Sequence, residues 1–392
     1  MKSSWRDDDS LAIAVGIFGS LLIISLFELA FFFLNRTSFG DVIKPENAFP
    51  RIVATELLID GAHGIPVSER GVQRIVGPRQ APPAELDRPG SLIKEVPFQI
   101  FRRSTGLLMP NTAGKASLRV AATGESIYEA EYSIDSYGRR TTSGQESPGK
   151  TKHLAVMGCS FVFGEGLNAD ETLPADLSKE APNYRAYNMG IPAGSPANFV
   201  LLSQMGKLWE GVKESEGVAA FIFFDGHLTR VFPSMVNVAN WGQAMPYLSE
   251  NADGSFSVEG SVLSQKPFLY LIYKILYHSQ MARFFGVNFP YELNEDHFFK
   301  FAQVIEQIKR SYLNQFPGQK FYFVGYPGKA SSTIKYLKPH LEKLGIDYLD
   351  YGQFYLGDFS DKPMVIKYDG HPSAEANRVW AKVLAHDLGL VK

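Results

Sequence analysis

The sequence predicts an α/β domain in which helices cover both faces of a parallel β-sheet. Two observations after residue 150 support this prediction: apolar runs of strand length alternate with helical segments, and these runs are continuously apolar. Continuous apolar runs are typical of parallel strands that are buried on both faces. Regular alternation of strands and helices is typical of layered α/β domains. We therefore expect three layers, with the sheet in the middle.

Five segments have the length and composition of buried strands. They are HLAVMG (153–158), YRAYNMG (184–190), VAAFIFFDG (218–226), KFYFVGYP (320–327) and IDYLDY (346–351). We predict that these segments form the central sheet.

Three segments between and after these strands have the signature of helices. SPANFVLLSQMGKLWEGVKE begins with Ser195 as an N-cap and has Pro196 in its first turn. SAEANRVWAKVLAHDLG is amphipathic and closes the chain. HFFKFAQVIEQIKRSYLNQF carries one apolar stripe at helical spacing. That stripe consists of Phe298, Phe301, Ile305, Ile308 and Tyr312.

The remaining segments define the predicted domain organisation. Residues 228–296 interrupt the alternation and are interpreted as an insertion over one end of the sheet, within a domain of residues 151–392. Residues 36–150 are predicted to be a linker and a small β-rich region. VGPRQAPPAELDRPG is rich in proline, as linkers and extended loops are. IYEAEYSID alternates with the period of a half-buried strand.

Residues 11–34, within an N-terminal region of residues 1–35, are predicted to be a single transmembrane anchor. Glu28 is the only charge in this apolar segment, and about 20 apolar residues suffice for a helix to cross a bilayer. The apolar region of a cleaved signal peptide is shorter, about 7–15 residues. A carboxylate is costly in lipid, so we expect Glu28 near the interface or paired with another helix. Lys and Arg residues are nearly balanced across the segment and do not settle its orientation.

Composition excludes several classes of function. The formal net charge is −2, which gives no basic footprint for nucleic acid. Cys159 is the only cysteine, so the chain has no intrachain disulfide and no multi-cysteine metal site. The glycine fingerprint for dinucleotides and the lysine of a P-loop are both absent from the sequence. We expect no cofactor.

Residues at the ends of the predicted strands are candidates for a functional site. Ser160 follows the first strand, Gly190 ends the second and Asp225 ends the third. Ligands of open parallel sheets bind at the carboxyl ends of the strands. His371 and Asp369 lie in KYDGHPSAEAN, just before the last helix. These five positions are expected at one edge of the sheet.

The chemistry that fits these residues is nucleophilic catalysis by serine. A serine hydroxyl needs an adjacent base, histidine titrates near neutral pH, and a carboxylate orients the imidazole. We predict Ser160 as nucleophile, His371 as base and Asp369 as its partner, with backbone N–H groups of Ser160 and Gly190 as oxyanion donors. Cys159, at the end of a buried strand, is predicted to be a packing residue.

Three sequence blocks resemble those of the SGNH (GDSL-type) hydrolase superfamily. GCSFVFGEGLNADETLP resembles the nucleophile block, YNMGIPAGSPAN the block whose glycine donates to the oxyanion, and YDGHPSAEAN the block with the acid and the histidine. With the YSIDSYGRR lead-in, the resemblance covers roughly residues 127–392. It implies a flavodoxin-like α/β/α fold, Ser160 as nucleophile, Gly190 as oxyanion donor, and the His371–Asp369 pair.

Two blocks depart from the family pattern. The last block reads D-x-H instead of D-x-x-H, which affects the role of Asp369 more than that of His371. The third block has FFDGHLTR where the family has an asparagine donor. Asp225 cannot donate a hydrogen bond when it is ionised, so Gly226 N–H or His227 is the replacement donor, or this donor is missing.

The resemblance, together with the predicted anchor, implies a membrane-anchored bacterial serine esterase or O-acyltransferase without a metal. Its substrate is expected to be a carboxylic ester, either a small molecule or a glycan such as an O-acetylated envelope polysaccharide, and its catalytic domain is expected in the periplasm or outside the cell. The alternative is a catalytically weak binding or assembly protein of the same fold. A metal site built from Asp225, His227, Asp369 and His371 is a further alternative.

Overall fold

The computed structural model describes residues 23–32, 92–102, 106–290 and 292–391. Most of the predicted anchor (11–34) and of the predicted linker therefore lies outside the described residues. Residues 23–32 of the anchor form a helix, α1. Within the described ranges, every helix is too short or too polar to cross a membrane. The anchor stays a prediction.

The central sheet has five parallel strands in the order β10–β9–β6–β4–β5. Its strands are β4 (Lys152–Gly158), β5 (Tyr184–Gly190), β6 (Gly217–Phe223), β9 (Lys320–Gly325) and β10 (Asp347–Asp350). All five predicted strands are confirmed. Numbered along this domain, their spatial order is 2-1-3-4-5, which is the flavodoxin-like order.

Helices cover both faces of this sheet, because each strand is apolar on both sides. In β4, Leu154 and Val156 belong to one core cluster and Ala155 and Met157 to the other, and all four are fully buried. One face is covered by α4 (Pro196–Gln204), α10 (Glu295–Gln315) and α11 (Ile334–Lys343). The other face is covered by α3 (Leu173–Glu180) and α12 (Ala374–Asp387). The three layers match the expected architecture.

The helices follow the predicted signals with one exception. The apolar stripe of α10 is buried throughout. The Ser373 side chain caps α12, and Ser195 occupies the N-cap position of α4 with Pro196 in the first turn. However, the prediction of a helix through residue 214 is wrong, because α4 ends at Gln204. Gly206 adopts a left-handed φ of +68° just after it, a conformation that terminates helices.

The small β-rich region is an antiparallel sheet of β1 (Leu92–Glu95), β2 (Thr112–Val120) and β3 (Ser126–Ile134). Its apolar face, which includes Tyr128 and Tyr132, shares a core cluster with Phe163 of the large domain. The ring of Tyr132 packs edge-on against Phe163 at 4.9 Å between centroids. The small sheet is therefore packed on the turn that follows β4.

Residues 228–296, predicted as an insertion, contain most of the elements between β6 and α10. These elements are α5 (Gly226–Val231), α6 (Met235–Asn240), β7 (Pro246–Glu250), β8 (Phe256–Ser261), α7 (Val262–Gln265), α8 (Pro267–His278) and α9 (Gln280–Phe284). They enclose a separate core cluster that includes Met235, Val262 and Tyr273. The predicted domain boundaries themselves stay a prediction.

Candidate active site

Ser160 lies at the junction between β4 and a short helix, α2 (Ser160–Phe163). The turn ends at Gly164, whose φ of +82° is a left-handed conformation suited to glycine. A Cβ at Gly164 would also lie 2.5 Å from Cγ2 of Thr172. Ser160 is 1% exposed, and its Oγ makes no hydrogen bond with any described residue. A buried, unpartnered hydroxyl is unusual and calls for a functional explanation.

Gly190 contacts the same turn from the end of β5. A Cβ at this position would lie 2.1 Å from the backbone N of Phe163, so only glycine allows this close approach. The Gly190 N–H donates to Oδ1 of Asn188 at 3.0 Å. The amide of Asn188 in turn donates to the carbonyl of Val162 at 3.0 Å. The predicted oxyanion donor is therefore engaged with Asn188, and an oxyanion would have to replace that acceptor.

Arg140 holds the α2 turn through hydrogen bonds. Its role was not predicted from the sequence. It is 1% exposed and donates to the carbonyls of Phe163 and Gly164, each at 2.6 Å, and of Leu167 at 2.5 Å. Burial lowers the pKa of Arg140 to about 10, so the guanidinium stays charged at neutral pH. Arg140 does lie in SYGRR, which belongs to the lead-in that resembles the family. Its contacts with the α2 turn, however, depend on packing and could not be predicted from this motif.

His371 and Asp369 form a hydrogen-bonded pair in the loop before α12. His371 is 1% exposed, and its Nδ1 is hydrogen-bonded to Oδ1 of Asp369. The His371 carbonyl accepts from Ile366 N at 2.8 Å, which fixes the loop. Burial favours a raised pKa for Asp369, but the hydrogen bond from His371 and the charges of His371 and Lys94 outweigh it and lower the pKa. Asp369 is therefore ionised at neutral pH, as an orienting carboxylate must be.

The imidazole of His371 faces the segment that begins at Ser160. Its ring lies 5.8 Å from the ring of Phe161, the next residue after the serine. Its Nε2 lies 3.5 Å from Oε2 of Glu165, on the same turn. The structure thus brings His371 and Asp369 to the Ser160 turn, while Ser160 Oγ remains without a hydrogen bond to the imidazole. Glu165 was not singled out from the sequence.

Lys94 of β1 closes this cluster from the small sheet. Its Nζ lies 2.6 Å from Oε1 of Glu165 and 3.0 Å from Oδ2 of Asp369. Burial opposes the charge of Lys94, but the two carboxylates outweigh it and raise the pKa. Within the described ranges, Glu165, Asp369 and His371 also place metal-type ligand atoms within 4.8 Å of one another. The ammonium of Lys94 already supplies a cation to both carboxylates.

The segment that follows β6 is tightly packed and contains Asp225, Gly226 and His227. Asp225 accepts hydrogen bonds from Ser332 Oγ at 2.6 Å and from Thr333 N at 3.0 Å, and burial raises its pKa to about 7. Among the described residues, Asp225 and His227 do not belong to the group of metal-type ligands that includes Asp369 and His371, so the alternative metal site is not assembled there.

The side chain of His227 is fully buried among aromatic rings. Its Nδ1 accepts from Phe224 N at 3.2 Å, and its ring centroid lies 4.6 Å from that of Phe224. Burial lowers the pKa of His227 well below its usual value, so this histidine is neutral. A Cβ at Gly226 would lie 2.4 Å from the Phe224 ring. The role of either residue as an oxyanion donor stays a prediction.

A cleft of about 810 Å³ lies elsewhere, between residues 135–147, which follow β3, and the amino end of β5. Its lining includes Asp135, Arg139, Arg185 and Lys213. Because Gly190 and the Ser160 turn lie at the carboxyl end of the strands, this cleft is not an entrance to the Ser160 site.

No family model matches the chain, and no curated protein matches it. It is similar to several solved structures. One is an acetyl xylan esterase from the rumen bacterium Butyrivibrio proteoclasticus, at 10% identity over 62% of this chain and 66% of that chain, with a TM-score of 0.34. Another is a family two carbohydrate esterase from Clostridium thermocellum in complex with cellohexaose, at 9% identity over 70% of this chain and 76% of that chain, with a TM-score of 0.34.

A third similar structure is AlinE4, an SGNH-hydrolase family esterase, at 16% identity over 63% of this chain and 100% of that chain, with a TM-score of 0.29. These identities and TM-scores are too low to assign an activity to this chain. The function is therefore proposed from the residues around Ser160.

Proposed function

We propose that this chain is a serine esterase or O-acyltransferase of the SGNH type that forms an acyl-enzyme on Ser160. One observation carries the proposal: an Asp369-oriented imidazole, that of His371, faces the turn whose first residue is a buried serine without a hydrogen-bond partner. Two distant parts of the chain would supply the three chemical groups that serine catalysis needs.

The proposed reaction has two halves. His371 Nε2 accepts the proton of the Ser160 hydroxyl as Oγ attacks the ester carbonyl, and the imidazolium then protonates the leaving alkoxide. In the second half, His371 accepts the proton of water, in an esterase, or of a sugar hydroxyl, in a transferase, as that oxygen attacks the acyl carbon. The imidazolium then returns the proton to Ser160 Oγ as the acyl–Ser160 bond breaks. The negative charge of Asp369 stabilises the imidazolium formed in each half.

The oxyanion of the tetrahedral intermediate needs donors at the same turn. Ser160 N–H is suited because the first N–H groups of a helix lack intrahelical partners, and Ser160 begins α2. Gly190 N–H would serve as second donor by exchanging Oδ1 of Asn188 for the oxyanion. This exchange removes no hydrogen bond from the Gly190 amide.

Substrate entry requires movement at Glu165 and Lys94. Ser160 and His371 are each 1% exposed, whereas the side chains of Glu165 and Lys94 are 18% and 35% exposed. Glu165 Oε2 also lies 3.5 Å from the nitrogen that must accept the Ser160 proton. We therefore place the route to the hydroxyl on the side of the Lys94–Glu165 pair, and that pair separates when an ester binds.

The substrate we propose is an ester of a cell-envelope polysaccharide. The predicted anchor at residues 11–34 would hold the catalytic domain at the membrane, facing the periplasm or the exterior. Neutral sugar esters need no cationic site, in keeping with a net charge of −2.

Hydrolysis of p-nitrophenyl acetate by the purified full chain tests the proposal. Ser160→Ala and His371→Ala should each lower the rate by about 10³-fold or more, since removal of a catalytic serine or histidine costs at least this much. Ser178→Ala is the matched control: this buried serine of α3 is 6% exposed and lies outside the site. Equal rates for Ser160→Ala and the parent chain would refute the proposal.

The second candidate is a binding or assembly protein with little activity. The observation that favours it is the closed state of the site: Ser160 Oγ is buried, it has no hydrogen bond to His371, and Glu165 stands at Nε2. A parent chain with no rate above that of Ser160→Ala would favour this candidate.

A further inference from the structure

Helix α8 of the insertion carries a stripe of apolar side chains that are exposed on the protein surface. Phe268 is 82% exposed, Leu271 54%, Ile272 53% and Ile275 62%. Their spacing of three and four residues places them on one face of the helix. A soluble protein rarely leaves so many large apolar side chains exposed together unless the surface has a binding role.

The opposite side of α8 is firmly attached to the protein. Tyr273 is 8% exposed and belongs to the core cluster of the insertion. Lys274 is the only Lys, Arg, Asp or Glu in the sequence of α8, PFLYLIYKILYH. Its Nζ donates inward to the carbonyl of Ala239 at 2.8 Å. The helix is therefore held in a fixed orientation. The ammonium of Lys274 is hydrogen-bonded inside the protein, and the apolar stripe faces outward.

Helix α1 packs against the element that follows α8. The carboxylate of Glu28 accepts hydrogen bonds from Ser279 Oγ, at 2.5 Å, and from the backbone N of Gln280 at the start of α9. The ring of Phe31 lies 5.0 Å from that of Phe284. The expected pairing of Glu28 with another helix is thus seen, and it connects the predicted anchor to the insertion.

The exposed apolar surface continues from α8 across this contact. Its other members are Ile23, Ile24, Leu26, Phe27 and Leu29 of α1, and Leu263, Met281, Phe285 and Phe289 around α8 and α9, each more than two-fifths exposed. Lys266 and Arg283, both exposed, flank the stripe along the chain. Apolar faces bordered by cations are typical of helices that lie at a lipid interface.

We propose that α8 lies in the interface of a lipid bilayer, next to α1, as a second membrane contact of this protein. The continuity with α1 favours lipid over a second copy of the chain, because α1 belongs to the apolar segment 11–34 and exposes five large apolar side chains of its own. An interfacial helix buries its apolar face about 5–10 Å below the headgroups. The stripe of α8 would then fix the orientation of the whole domain relative to the membrane.

A fluorescent probe on α8 tests this proposal in the full chain. Cys159 is the only cysteine and is 1% exposed, so a cysteine introduced on the surface is labelled selectively. Ile272→Cys and, as an independent second site, Ile275→Cys are labelled with an environment-sensitive nitrobenzoxadiazole and reconstituted into phosphatidylcholine–phosphatidylglycerol vesicles. Phe359→Cys is the matched control, because Phe359 is 57% exposed but lies in the segment between β10 and α12.

The expected result is a blue-shifted emission from both α8 probes that nitroxide-labelled lipids quench, as a helix at the interface predicts. A nitroxide high on the acyl chain should quench more than one near its end, and the Phe359→Cys probe should respond to neither. Water-like, unquenched emission from both α8 probes would overturn the proposal. So would a blue shift that nitroxide lipids do not quench and that grows with the protein-to-lipid ratio, because it would identify a second copy as the partner. Esterase activity does not enter this readout.

Discussion

Replacement of Arg140 by methionine should loosen the turn that carries Ser160. The guanidinium is fully buried and donates to three carbonyls of the segment that follows the serine, those of Phe163, Gly164 and Leu167. Methionine fills a similar space but donates nothing. The Arg140→Met variant therefore tests whether these contacts hold the site.

The cost follows from the acceptors that lose their donor. Each buried, unsatisfied acceptor costs about 1–3 kcal/mol. The Phe163 carbonyl keeps a donor in Asn188 Nδ2 at 3.3 Å and the Gly164 carbonyl keeps one in Leu167 N at 3.1 Å, so only the Leu167 carbonyl is orphaned. Part of this cost is offset, because the buried guanidinium no longer has to be desolvated. We expect Arg140→Met to lower the free energy of unfolding by about 2 kcal/mol.

Urea unfolding and the rate of p-nitrophenyl acetate hydrolysis measure the two effects. The control is Arg139→Met, because Arg139 is the neighbouring arginine, is 7% exposed, and donates to the Glu210 carbonyl at 2.6 Å, away from Ser160. The control should lose about 1 kcal/mol and keep its rate. Arg140→Met should lose more stability and lose rate even where it is fully folded. Equal stability losses and unchanged rates in both variants would refute this reasoning.

Three further predictions concern single side chains. Lys94→Met removes a cation 3.0 Å from Asp369 and should raise the pKa of Asp369. Because the folded-state pKa of Asp369 lies below the unfolded one, its stabilisation is present above the unfolded pKa and is lost on acidification. Circular dichroism titration should show the variant losing this stabilisation at a higher pH than the parent chain. Burial raises the pKa of Asp225 from 3.8 to about 7, so its contribution to folding stability is complete below the unfolded pKa and is lost as pH rises to about 7. Thermal melts of Asp225→Asn should lack this loss of stability. Parallel pH profiles of melting temperature for variant and parent would contradict the prediction. Gly190→Ala places a Cβ 2.1 Å from a backbone nitrogen and should lower the free energy of unfolding in urea by about 2 kcal/mol or more. The control is Gly357→Ala, whose Cβ would meet no neighbouring residue within 4 Å. Its free energy of unfolding should stay within about 0.5 kcal/mol of the parent value.

The sequence was sufficient for the parts of the fold that depend on local pattern. Parallel strands buried on both faces must be continuously apolar, so the five strands could be recognised without knowing their partners. Asp369 and His371 are two residues apart, so their pairing also depended on local sequence. The predicted C-terminal end of α4 lay too far along the chain, because the helical sequence pattern continues past Gly206. At Gly206 the backbone adopts a left-handed conformation.

The parts that could not be predicted depend on contacts between distant segments. Lys94 reaches Asp369 across 275 positions, and Arg140 reaches the carbonyls of the Ser160 turn only because the small sheet packs there. The burial of Ser160, and Glu165 beside His371, likewise follow from tertiary packing. Apart from the SYGRR lead-in that contains Arg140, no local pattern distinguishes Lys94, Arg140 and Glu165 from ordinary surface charges.

The most direct test of the central claim is a fluorophosphonate probe followed by mass spectrometry of the digested full chain. This reagent phosphonylates serine hydroxyls that an adjacent base activates. We predict one adduct, on the peptide that contains Ser160, and its loss in His371→Ala at an unchanged fold. An unmodified chain, an adduct on a different residue, or equal labelling of His371→Ala would contradict the claim that His371 activates Ser160.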